Sequence, residues 1–96
     1  MEFVEPYDAR LMRPDGSVTV GVTDTDSKVV SISKGLNPTF EHKVLCHEIT
    51  HCAMHSYGVE LTLEQEELVA DLISTYGEEI VEVTNDVFKR LRERVA

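Results

Sequence analysis

Asn37-Pro38-Thr39-Phe40-Glu41-His42-Lys43-Val44-Leu45-Cys46-His47-Glu48-Ile49-Thr50-His51-Cys52-Ala53-Met54-His55-Ser56-Tyr57-Gly58 carries both ends of a helix and everything between them. Asn37 is a good N-cap, because its side-chain oxygen can accept from a free N–H of the first turn. Pro38 suits the first helical position, where its missing N–H is not needed. Gly58 suits the left-handed residue that closes a helix. The stretch therefore predicts a helix from Pro38 to about Tyr57. Inside it stands His47-Glu48-Ile49-Thr50-His51. Residues four apart share one helix face, about one turn from each other, so both imidazoles can aim at a single point. Glu48 lies about 100° around the axis from His47 and about 60° from His51, beside that point.

The chain before this helix reads as strands. Tyr7 to Arg13 is followed by Pro14-Asp15-Gly16, a turn signal in which Pro presets φ and Gly accepts positive φ. Ser17 to Thr23 alternates, with Val18, Val20 and Val22 on one face. Asp24-Thr25-Asp26-Ser27 is a second turn, and Lys28 to Ser33 carries Val29, Val30 and Ile32. A small, largely antiparallel three-stranded meander is expected. After the helix, Thr62 with Gln65 forms a capping box that opens a second helix. Its Leu68, Val69, Leu72, Ile73 and Tyr76 fall on one face, read as the core-facing side with Tyr76 in the core. Gly77 either ends this helix or weakens it, and Glu78 to Val95 reads as helical again. The expected fold class is α+β: a small three-stranded sheet, then the helix with the two histidines, then one or two further helices, within one domain over residues 1–96.

Composition limits what such a domain can do. The 96 residues hold nine Lys and Arg against 18 Asp and Glu, a net charge of −9. From Val44 to Phe88 there are ten acidic residues and no Lys or Arg. A chain of this charge gains nothing from releasing counterions, so nucleic acid and anionic membrane surfaces are disfavoured as partners. A metal-dependent RNase is disfavoured for the same reason. The acidic Met1–Tyr7 start has no apolar run of a secretory signal, and no stretch approaches a membrane span, so a cytoplasmic protein is expected. Cys46 and Cys52 are about 9 Å apart along the helix axis, too far for a disulfide within it, and read as reduced thiols. A core this small gains from a bound metal or an oligomer contact.

The pair of histidines points to a metal. Neutral imidazole binds Zn²⁺ at about 2.0–2.1 Å. A carboxylate beside the ion can take a proton from bound water and pass it on, the role expected of Glu48. A third ligand should come from the next helix, where Glu66 and Glu67 are both available. Glu67 and Asp71 lie one turn apart. Zinc-bound His commonly donates its other ring N–H to a carboxylate. On that logic Glu67 is the ligand and Asp71 the carboxylate behind His47 or His51. The competing reading is that Glu64, Glu67, Asp71, Ser74 and Glu78 are only a wet stripe, unless this helix is sandwiched between the core and the histidine helix. His55 continues the four-residue spacing but reads as rim or surface, His42 as exposed, Tyr57 as a helix-end residue, and Asp24 and Asp26 as turn residues.

His47-Glu48-x-x-His51 followed by Glu67-x-x-Ala70-Asp71 resembles the gluzincin branch of zinc peptidases. It is similar in particular to the short ImmA/IrrE-type metallopeptidases of prophages and mobile elements. The resemblance covers mainly Val29 to Gly77, with Val44-Leu45-Cys46 leading into the motif. It implies a zincin-like fold, Zn²⁺ held by His47, His51 and Glu67, Glu48 as the catalytic base, and a peptide or protein substrate. Members usually carry further domains, and this chain matches the catalytic kernel alone. The alternative is a zinc-stabilised interaction or regulatory module of a phage or mobile element. Retention of Glu48, which such a module does not need, argues for the peptidase. A protein partner or homo-oligomer is compatible with either.

Overall fold

The structure, a computed structural model, describes residues 1–13 and 15–95, without the side chain of Val95. Three short strands, β1 (Glu2–Val4), β2 (Gly21–Asp24) and β3 (Val29–Ser33), precede three helices, α1 (Pro38–Ser56), α2 (Leu63–Leu72) and α3 (Glu78–Val95). The fold is α+β and zincin-like, with the histidine-bearing helix directly after the sheet.

The sheet is mixed. Its order is β1-β3-β2, with β3 in the middle. β2 pairs antiparallel with β3, Val22 opposite Ser31, while β1 pairs parallel, Phe3 opposite Ile32. The expected meander is thus corrected: the first strand is Glu2–Val4 and joins the far side of β3. Tyr7–Arg13 is not a strand. Asp8 caps a 3₁₀ turn over Ala9–Leu11 by accepting from the Arg10 N–H. Its carboxylate also pairs with the Arg10 side chain, which holds the Asp8 carboxyl below its ordinary range. These local bonds compete with a ladder and win. Of the expected strand only Met12 bridges across, to Val18. The turn between them closes with Gly16 N–H donating to Arg13 C=O; Pro14 itself lies outside the described residues.

The helix ends follow their sequence signals. Asn37 accepts from the Phe40 N–H at 2.9 Å, with Pro38 behind it. At the other end Gly58 (φ 66°) donates to His55 C=O and Val59 to Met54 C=O. Those two bonds make a Schellman closure, which only the left-handed glycine conformation allows without strain. The Thr62–Gln65 capping box is complete in both directions.

The core is small, as a chain of this length dictates. Val30 and Ile32 of β3 pack on Val44 of α1, with Val20, Leu36 and Cys52 around them. Leu11 and Ile32 are the largest fully buried side chains. Helix α2 turns a different side inward from the one its apolar residues mark. Ala70 is fully buried against the rest of the chain while Leu68 is 70% and Tyr76 54% exposed, so the expectation that Tyr76 is core is corrected. A small residue permits close helix approach, and the contacts of His47 and His51 on α1 with Glu67 on α2 go with the acidic side facing in. Gly77 does not end the helical path. Ile73–Gly77 form one π turn and α3 continues directly from it.

Candidate metal centre

α1 lies against β2 and β3, and this contact sorts its residues. Val44, Glu48 and His51 are buried on the sheet side or under α2, while Ile49 is outward. One turn apart, His47 and His51 stack edge to face with ring centroids 4.8 Å apart. Their Nε2 atoms stand 3.1 Å apart. Glu67 reaches both: one carboxylate oxygen is 3.2 Å from His47 Nε2 and the other 3.0 Å from His51 Nε2.

The far side of each ring is held as well. His47 Nδ1 is 3.1 Å from Asp71 Oδ1, and His51 Nδ1 is 2.7 Å from Glu66 Oε1. A carboxylate oxygen only accepts, so Asp71 and Glu66 would hold the ring hydrogen on each Nδ1 once a cation took the Nε2 side. In that tautomer each Nε2 would turn a lone pair inward. Both Nε2 atoms and both Glu67 oxygens face one point, where a cation would be held among them. Ligands at about 2.0–2.1 Å around a tetrahedral ion stand roughly 3.3 Å from one another. The two Nε2 atoms, 3.1 Å apart, match that figure; each stands 3.0 to 3.2 Å from a different Glu67 oxygen, and with one ligand atom from each residue the three lie within 4.8 Å of one another. The donor set of two His and one Glu suits Zn²⁺ and leaves a fourth corner without a protein ligand.

Glu48 is 6% exposed and sits next to this cluster without joining it. The Thr23 hydroxyl on β2 lies 3.1 Å from Glu48 Oε1 and 3.2 Å from the Glu48 carbonyl oxygen, so it ties the residue to the sheet edge. Gly21, also on β2, explains how the strand comes so close. A Cβ there would stand 2.7 Å from Val44 Cγ1 and 3.1 Å from Glu48 Cγ. Two clefts open on either side. One of about 490 Å³ is lined by Thr23, Glu48, His51, Leu63 and Glu67. A second, of about 260 Å³, is lined by His47, Glu48, Glu67 and Asp71. Glu48 therefore faces both clefts.

Compared with known protein families, with curated proteins and with solved structures, the chain finds no match. What can be said of the site rests on its geometry. The cluster of His47, His51 and Glu67 fits a gluzincin-type zinc site. Glu66 stands on the Nδ1 side of His51 and Asp71 on the Nδ1 side of His47, so the two carboxylates are divided between the two rings. Sequence reasoning had one such carboxylate and missed the second. The signal was there: two imidazoles need two acceptors, and Glu66 adjoins Glu67. Thr23 and Gly21 carried no signal, since a hydroxyl and a missing side chain gain their meaning only from the approach of α1. His55, His42 and Tyr57 are exposed and apart from the cluster. Asp24 is a turn residue, accepting from the Asp26 and Ser27 N–H groups.

Proposed function

We infer that this chain is a zinc-dependent metallopeptidase, with His47, His51 and Glu67 as metal ligands and Glu48 as general base. One observation carries the reading: both His Nε2 atoms and both Glu67 oxygens converge while each Nδ1 is held by its own carboxylate. A zinc ion in that position lowers the pKa of a bound water to about 7 and polarises a carbonyl. Every other part belongs to the chain. Asp71 and Glu66 fix the ring orientations and raise the basicity of the ligating nitrogens. Glu48 accepts the proton of the attacking water at its carboxylate and hands it to the leaving amine. Thr23 holds the Glu48 carboxylate toward the cleft. The resemblance of His47-Glu48-x-x-His51 with Glu67-x-x-Ala70-Asp71 to the ImmA/IrrE-type gluzincins supports this reading. The proposed substrate is a peptide or protein met in the cytoplasm; among the described residues no helix is long and apolar enough to cross a membrane.

The test separates catalysis from binding. The purified chain is expected to hold one zinc per molecule by elemental analysis and to cleave members of a peptide library. Glu48→Gln is expected to keep the zinc and the fold and to lose cleavage by at least about 100-fold, the usual scale of a general base. Cleavage that survives in Glu48→Gln, or a zinc-loaded chain that cleaves nothing while Glu48→Gln keeps its biological effect, would leave a zinc-stabilised interaction module instead.

A further inference from the structure

α3 has no cover. Every side chain described from Glu78 to Arg94 is exposed, and the helix packs against the π turn that precedes it. Its sequence is nonetheless amphipathic. Leu68, Leu72, Tyr76, Ile80, Val83, Val87 and Leu91 are each between 48% and 70% exposed. Their spacing is 4, 4, 4, 3, 4, 4. In an unbroken α-helix the three four-residue steps from Leu68 to Ile80 would drift about 120° around the axis. The π turn at Ile73–Gly77 takes up an extra residue and returns most of that drift. The result is one continuous apolar stripe on the side of α2 away from the histidines. An uncovered 18-residue helix is marginal in water, and Ile80, Val81, Val83, Thr84 and Val87 are weak helix formers.

The charges on α3 select the partner. Its first half carries Glu78, Glu79, Glu82 and Asp86, and its second half Lys89, Arg90, Arg92 and Arg94 with one acidic residue, Glu93. Asp86 already pairs with Arg90 on the same helix, and Arg92 rests over Phe88. A second α3 laid parallel would set acid against acid and base against base. Laid antiparallel, it sets Glu78–Glu82 of each chain against the basic end of the other. The same register stacks Ile80 near Leu91 of the partner subunit and Val83 near Val87 of the partner subunit. We propose that α3 is the interface of a homodimer, formed by antiparallel pairing of its apolar stripe with that of a second copy. The pairing leaves the histidine side of α2 free, so the metal centre remains open in the dimer.

The full zinc-loaded chain is followed by sedimentation velocity over a concentration series. The expected species has twice the 10.8 kDa chain mass. Val83→Glu with Val87→Glu is expected to give a monomer that still holds its zinc, which shows the body of the protein intact. Glu79→Lys with Glu82→Lys, and Arg92→Glu with Arg94→Glu, are each expected to weaken the dimer several-fold. Mixed together, the two variants restore a one-to-one pair. Added salt is expected to weaken the wild-type dimer. A wild-type chain that stays monomeric at the highest concentration measured overturns the proposal, whether or not α3 then binds another protein or a lipid vesicle. So does a dimer unaffected by Val83→Glu with Val87→Glu. Tightening by salt overturns the antiparallel arrangement.

Discussion

Glu66 and Glu67 are neighbours in sequence that stand on different sides of the imidazole rings. Glu67 lies on the Nε2 side of both rings, and Glu66 on the Nδ1 side of one. The difference predicts unequal losses. Glu67→Ala removes one of three proposed ligands and is expected to strip the site under mild chelation. Glu66→Gln and Asp71→Asn are expected to keep the metal with affinity lowered about 10- to 100-fold, the scale of losses behind a ligand. Competition with a zinc-binding dye reads both. If Glu66→Gln emptied the site and Glu67→Ala spared it, the ligand assignment would be reversed. Thr23 adds a separable effect. Thr23→Val removes the hydroxyl beside Glu48 and nearly keeps the volume. Cleavage is expected to fall with zinc content unchanged, and kcat rather than KM is expected to carry the loss. A shift confined to KM would mean that Thr23 contacts substrate instead.

At the scale of elements, β2 and α1 meet at Gly21. The Cβ of an alanine there would stand 2.7 Å from a stiff Val44 methyl, so the strand or the helix must move. Overpacking of this kind costs about 1–3 kcal/mol. Gly21→Ala is therefore expected to lower the melting temperature and to displace Glu48 from the cleft. Activity is expected to fall further than stability alone explains, while zinc binding through α1 and α2 persists. Calorimetry and an activity assay on the folded fraction check this. The same element pair shows what the sequence could and could not convey. The caps of α1 and α2 were readable because each depends on two or three adjacent residues, Asn37-Pro38 or Thr62 with Gln65. β1 was not, because three residues of strand next to acidic neighbours leave no period to detect. Tyr7–Arg13 read as a strand, yet Asp8 and Arg10 settle it locally as a 3₁₀ turn. The inward side of α2 was misjudged for a related reason. Its apolar residues announce a buried face, while the bonds from His47 and His51 to Glu67, Asp71 and Glu66 turn the acidic side inward.

Across the whole molecule, few apolar contacts tie the helices after α1 to the rest. Val30, Ile32 and Val44 form the buried cluster, and Ala70 is the one buried residue of α2. The link between α1 and α2 runs largely through the histidines and three carboxylates. Glu48, Glu66, Glu67 and Asp71 also gather four acidic groups at one place in a chain of net charge −9. A divalent cation held there would offset that repulsion and would bind only the folded arrangement, so metal and fold would be linked. Free zinc at about 1,000 times its Kd stabilises by roughly 4 kcal/mol. For a domain this small each kcal/mol shifts the melting temperature by about 4–8 °C. Chelation is thus expected to lower the melting temperature by well over 10 °C, and His51→Ala is expected to melt near the chelated wild type whether zinc is present or not. The dimer makes a different mark. Stability drawn from α3 pairing rises with protein concentration, whereas the zinc increment at saturating metal does not. Melting the wild type and Val83→Glu with Val87→Glu at several concentrations, with and without chelator, separates the two. A chelator that leaves the wild-type melt unmoved would show that the cluster of His47, His51 and Glu67 holds no metal that matters to the fold.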